Sequence, residues 1–225
     1  MKINKMVFMC IIILFIGTNG YGLSSSGLIE LVNEFFKKNT SLKGNFEMYD
    51  GRQFSSGYFL FKVPQYYKMV FSHIKGNEIH KKRIITDGKT LWMYLPHLKL
   101  VIDQDLKGLS PVQISTTMLG IRRLVKHYHY KFEGNNPNLH FVRGLKVKVY
   151  ALELQAKDDR MGFKKIVFYI RKDGCIVKTT AITRKNKIIT LIRKNIVLNA
   201  KIEDKEFRRE VPRKAKVIKN PFLSG

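Results

Sequence analysis

The chain has 225 residues, 44% of them hydrophobic, and sets 42 Lys and Arg against 17 Asp and Glu for a formal net charge of +25. That length supports one domain with a substantial core and is too short for two large ones. The charge points to anionic surfaces, nucleic acid or lipid headgroups, and two cysteines cannot staple a disulfide scaffold of this size.

The N-terminus does not belong to the domain. Lys2 and Lys5 precede an unbroken apolar run, Met6–Ile16, and Thr18-Asn19-Gly20-Tyr21-Gly22 follows with small residues. This is the pattern of a secretory signal peptide, too short to span a bilayer comfortably. Cleavage is expected after Gly20 or Gly22, so residues 1–22 are the signal and 23–225 a single exported domain. Cys10 leaves with the leader, and Cys175, then alone, reads as a small buried hydrophobe. For an exported protein, anionic headgroups are the commoner partner for basic residues, at about 1 kcal/mol each near the surface.

Ser24-Ser25-Ser26 leads into a helix whose Leu28, Leu31, Val32, Phe35 and Phe36 share one face. From Lys43 the period changes to two. Strands are expected around Phe46–Tyr49, Gly57–Val63 and Tyr66–Phe71, with an Asp50-Gly51 turn after the first and Pro64 closing the second. Both faces of these strands are apolar, so either both are covered or one lines a cavity. His73–Lys82 reads as a polar loop. Ile84–Asp103 then gives strand, Asp87-Gly88 turn, strand, Pro96 turn and strand, with the only Trp, Trp92, just past the first turn.

Ser110-Pro111-Val112-Gln113 has the form of a capping box, and Ile114, Met118, Ile121 and Val125 mark one face of a helix to about Lys126, a natural lid for an open sheet. Further strands are expected at Tyr128–Phe132, Leu145–Leu154, Lys165–Arg171, Ile176–Thr183 and Ile188–Val197. A last strand and extended tail cover Phe207–Ile218. The count is about eleven strands and two helices.

Catalytic signatures are missing: there is no Gly-x-Ser-x-Gly elbow, His-Glu-x-x-His helix or phosphate-binding glycine loop. His127 and His129 would share a strand face but bring no third ligand. Asp158-Asp159 and Asp103-x-Asp105 read as solvated turns. Neither an enzyme, a metal nor a cofactor is expected.

Two segments carry a family likeness. Gly57-Tyr58-Phe59-Leu60-Phe61-Lys62-Val63-Pro64-Gln65-Tyr66-Tyr67 resembles the Gly-x-(apolar)-x-(apolar)-Lys-Arg-Pro-x-x-Phe segment of the periplasmic outer-membrane lipoprotein carriers, the LolA-like proteins. Thr86-Asp87-Gly88-Lys89-Thr90-Leu91-Trp92-Met93-Tyr94 with Pro96 is similar to that family's Ser-Asp-Gly-Lys-Thr-Leu-Trp-x-Tyr-x-Pro hairpin. Arg171-Lys172-Asp173-Gly174 and Val211-Pro212 before Val217-Ile218 add weaker support.

The resemblance implies an unclosed antiparallel β-barrel of about eleven strands, with helices over a hydrophobic cavity. It also implies a periplasmic chaperone, monomeric, with no nucleic-acid role. Such a protein takes triacylated lipoproteins from an inner-membrane ABC transporter and ferries them to the outer membrane, with or without an acceptor there. The lipid-binding face expected on that basis is Phe59, Phe61, Val63, Tyr67, Met69 and Phe71, with Leu91 or Trp92 from the hairpin and Met118 from the lid. Two positions depart from the pattern: Val63, beside Lys62, stands where the family has a latch-like Arg, and Tyr67 where it has Phe. The rival readings are a lipid- or lipoprotein-sensing receptor module on the same fold, and an exported basic enzyme or nucleic-acid binder.

Overall fold

Ser24 sets the first element: its Oγ accepts the backbone N–H of Gly27 at 3.0 Å and caps α1, Ser25–Lys38. The computed structural model describes residues 23–221 apart from 52, 76–77, 108–120 and 160. The expected signal peptide and most of the expected lid helix, Met118 included, lie outside the described residues. The end of that helix is present as α2, Ile121–Val125, packed against α1.

Among the described residues thirteen strands follow in chain order. They are β1 Ser41–Asp50, β2 Gln53–Lys62, β3 Tyr66–Lys75, β4 Glu78–Thr86, β5 Thr90–Leu95, β6 Leu100–Asp105, β7 Tyr128–Phe132, β8 His140–Phe141, β9 Lys148–Ala156, β10 Phe163–Ile170, β11 Ile176–Thr183, β12 Ile188–Leu198 and β13 Lys216–Lys219. They form one curled, unclosed sheet in the order β13-β6-β5-β4-β3-β2-β1-β12-β11-β10-β9-β7, with β8 also on β9. The count exceeds the expected eleven. One pair also departs from the antiparallel rule, because the chain returns from the far side of the sheet and β13 runs parallel to β6. His73–Lys82 is a correction of kind: it is a hairpin, with His73 opposite His80 and Ile74 opposite Ile79. Its polar residues carry no apolar period, so only the backbone ladder defines it.

α1 lies on one face of the sheet, the inner face. Its Leu28, Ile29 and Val32 pack on Leu152, Leu154, Ile166, Phe168 and Ile170 from β9 and β10, all buried. Toward the other end of α1, Phe36 meets the Phe61 ring at 5.4 Å. Gly174 allows this close seat. It has φ +91°, and a Cβ there would lie 2.4 Å from the Leu31 carbonyl oxygen of α1.

The C-terminal segment covers part of the opposite, outer face. Ile202 and Phe207 cover Leu60, Ile85, Trp92 and Val101 from β2, β4, β5 and β6. Polar tethers fix the path: Ser41 Oγ donates to the Ala200 carbonyl at 2.6 Å, and Lys62 Nζ bonds the Ile202 carbonyl at 3.1 Å. Lys68 Nζ reaches Glu206 Oε2 at 3.0 Å, and Arg209 pairs with Asp87. Partial burial alone would raise the Asp87 carboxyl. The N–H groups of Thr90 and Lys89 and then the Arg209 charge outweigh it and hold the group below its ordinary pKa.

Candidate functional site: an apolar trough on the inner face

Strand register places side chains in rows across the inner face, because paired residues share a face and alternate residues along a strand return to it. One row runs Phe59–Met69–Ile84–Met93–Ile102–Ile218 through β2, β3, β4, β5, β6 and β13. The next runs Leu42–Phe61–Tyr67–Thr86–Leu91–Gln104. On the other side of the first lies Arg193–Phe46–Gly57–Phe71–Lys82, from β12 to β4.

Glycines make room for the rings in these rows. With no side chain at Gly57, Phe46 and Phe71 meet edge to face over it at 4.9 Å, a geometry worth about 0.5–1.5 kcal/mol beyond buried area. The Phe59 ring lies over Gly44 in the same way, 2.9 Å from where a Cβ would stand.

The two halves of the inner face differ. Under α1 the side chains of β9 and β10 are sealed. Over β1–β6 and β12, by contrast, Met48, Phe61, Met69, Ile84, Met93, Ile102 and Leu191 are only partly buried. They form an apolar trough floored by Phe46, Phe59 and Phe71, which are 1%, 3% and 6% exposed. Three methionines in its wall suit ligands of variable shape.

The expected lipid-binding residues divide accordingly. Phe59, Phe61, Tyr67, Met69, Phe71 and Leu91 share the trough. Val63 lies beyond the end of β2 in an exposed turn, its N–H donating to the Thr40 carbonyl at 2.9 Å. Trp92 is on the outer face, 2% exposed beneath Ile202 and Phe207. Replacing Trp92 by Ala should therefore cost about 3–5 kcal/mol of stability, whereas Trp92→Phe leaves the trough, and binding of an apolar probe to it, unchanged. A probe affinity that falls tenfold in folded Trp92→Phe would contradict this placement.

Met48, Ile84, Met93, Ile102, Leu191 and Arg193 belong to the trough without having been foreseen. Ile84 and Met93 were legible in principle, being two residues from Thr86 and Leu91 on the same strand face. Arg193 had no signal, as one basic residue among 42.

Electrostatics at the trough are sparse. Lys82 Nζ stands over the Phe71 ring at 5.1 Å, and burial lowers its pKa against the pull of Asp50. Burial pushes the Tyr67 hydroxyl up to about 12, opposed by Arg193. Cys175 is buried, its thiol pushed up to about 11 by desolvation, so it stays protonated and inert. The outer face carries a different feature, an open groove of about 480 Å³ lined by Tyr58, Lys68, Val70, Lys81, Arg83, Tyr94 and Pro96. Its cations make it a poor host for alkyl chains. The inner trough is the apolar candidate.

Residues 43–210 match the family model described as outer membrane lipoprotein carrier protein LolA. No curated protein matches the chain in sequence. Among solved structures, an uncharacterized conserved protein from Thermus thermophilus is similar with a TM-score of 0.58 at 12% identity, over 87% of this chain and 98% of that one. MucB is similar with a TM-score of 0.50 at 14% identity, over 83% of this chain and 62% of its own. The Pseudomonas aeruginosa MucA/MucB complex gives the same score and identity, over 61% of that chain. At these identities the likeness is one of fold.

Proposed function

The chain belongs to the LolA family of outer membrane lipoprotein carriers, and we propose that it is itself a carrier, holding the acyl chains of lipoproteins in the inner trough between the inner and the outer membrane. The observation that carries this reading is the partly open row Phe59–Met69–Ile84–Met93–Ile102. Five apolar residues from five adjacent strands lie side by side there, and an alkyl chain laid across the strands would touch each in turn. In this reading residues 1–22 direct export to the periplasm, an inner-membrane ABC transporter loads the carrier, and the outer membrane receives the cargo.

The energetics explain why such a carrier is needed. Each buried CH₂ is worth about 0.8 kcal/mol, so three long chains hold a lipoprotein in its bilayer by tens of kcal/mol. Release through water is negligible. A carrier must bind loosely enough to unload, which a partly open trough of methionine and aromatic side chains does better than a sealed pocket. The same fold could serve as a sensor of envelope lipoproteins, and loss of the protein separates the two readings: loss of a carrier strands lipoproteins in the inner membrane, loss of a sensor alters signalling alone.

The direct test is release of labelled lipoprotein from inner-membrane vesicles with ATP, with and without the protein. Label appearing in a soluble complex with the protein is the expected result. Label that stays in the vesicles at every protein concentration overturns the reading.

A further inference from the structure

Among the described residues, Arg193 is the one charge set deep in the interior without an acid beside it. It leaves β12 on the inner face opposite Phe46. Its guanidinium is enclosed among the elements that meet there, while part of the residue remains accessible. Its contacts are few. Nη1 lies 3.4 Å from the Ile176 carbonyl, at the outer limit of a hydrogen bond, and the guanidinium is near enough to the Tyr67 hydroxyl for its charge to oppose the effect of burial there. Nε is buried and has no partner. No carboxylate lies within ion-pair distance among the described residues, and the ionisable groups that act on it are Tyr67 and Cys175, both neutral at pH 7.

The nearness of Tyr67 locates the guanidinium. Arg193 and Tyr67 stand on β12 and β3, with β1 and β2 between them. Their side chains therefore reach each other across the inner face, on the side where Gly44 and Gly57 carry none. The charge is held over the trough floor rather than at a strand edge.

A buried cation is costly unless an anion answers it, and folding alone would favour an apolar residue of similar size. The five N–H donors of a guanidinium suit the two or three oxygens of a carboxylate or phosphate. We propose that Arg193 is an oxyanion anchor: the trough takes a long-chain lipid whose carboxylate or phosphate head turns inward onto the free face of the guanidinium while its chain lies along Phe59, Met69 and Ile84. The inference rests on the acyl-chain reading of the trough and concerns a free acidic lipid as a further ligand, since the ester- and amide-linked chains of a lipoprotein carry no anionic head.

The test compares the fluorescent polyene cis-parinaric acid with its methyl ester, identical in chain and lacking only the charge. The anchor predicts at least about tenfold tighter binding of the acid at pH 7.5, the discrimination expected when a buried charge finds its only counter-ion. Arg193→Met should abolish that ratio, keep the ester's affinity, and leave Tm unchanged or higher, since it removes an unpaired buried charge. Arg193→Lys should keep part of the preference. Displacement of the acid by palmitate marks the head as carboxylate, and displacement by lysophosphatidate marks it as phosphate; either supports the anchor. Equal binding of acid and ester by the unaltered protein overturns the anchor and leaves the acyl-chain reading standing. Binding of neither overturns both.

Discussion

Met93→Glu is expected to lower affinity for an uncharged acyl probe such as the parinaric methyl ester by about 30-fold or more, with little loss of stability. In the free protein residue 93 is partly accessible at the centre of the row from Phe59 to Ile218, so a carboxylate there keeps much of its water. A bound alkyl chain would strip that water away, and an unpaired carboxylate loses several kcal/mol on such a transfer; about 2 kcal/mol already gives the stated factor. Fluorescence titration read beside a thermal melt separates binding from folding. Unchanged probe affinity in a folded Met93→Glu protein would remove the trough as the binding site.

Gly57→Ala should damage the fold more than any polar substitution in the trough. A Cβ at residue 57 would sit 1.8 Å from the Val70 carbonyl oxygen and 3.0 Å from the Phe46 ring. The first neighbour is backbone of the adjoining strand and cannot swing away, so β2 and β3 must part or buckle at the middle of the sheet. A cost above about 4 kcal/mol is expected, seen as a large fall in the denaturant midpoint or loss of soluble protein. Gly134→Asn is the control: nothing lies within 4 Å of a Cβ there, and Asn tolerates the φ of +60°. A stable Gly57→Ala protein would mean that the ring row is not packed as described.

Five strands of the second half were legible to within about three residues, while His140–Phe141 was not expected and the last strand is confined to Lys216–Lys219. Tyr128–Phe132 and Ile176–Thr183 coincide with β7 and β11, because β-branched and aromatic residues there end at clear turns. The faces were not. Ile84-Ile85 and Leu91-Trp92 each place one apolar side chain on each side of the sheet, and that pattern cannot say which side is inside. The answer comes from residues about a hundred positions later, where Ile202 and Phe207 cover Ile85 and Trp92 and so leave Ile84 and Leu91 to the trough. Early strands with two greasy faces offered two explanations, a cover or a cavity, and on the outer face the answer is a cover. Arg193 lay beyond sequence reasoning altogether, since its meaning depends on the acids that are absent around it in space.

The ladder between β1 and β12 also governs how the molecule comes into being. β1–β6 and β9–β12 are meanders of neighbouring hairpins, each able to pair as soon as it is made. The seam that unites them joins Ser41–Asp50 to Ile188–Leu198, and β13 reaches β6 only through residues 216–219. Contacts so distant along the chain are slow to form, because the loop entropy is spent before the pairing repays it. Ile202 and Phe207, which cover Trp92, follow β12 in the chain, so the seam and the cover both wait on residues beyond 187. Covering of the outer face thus falls at the end, while the row from Phe59 to Ile102 belongs to the first meander alone.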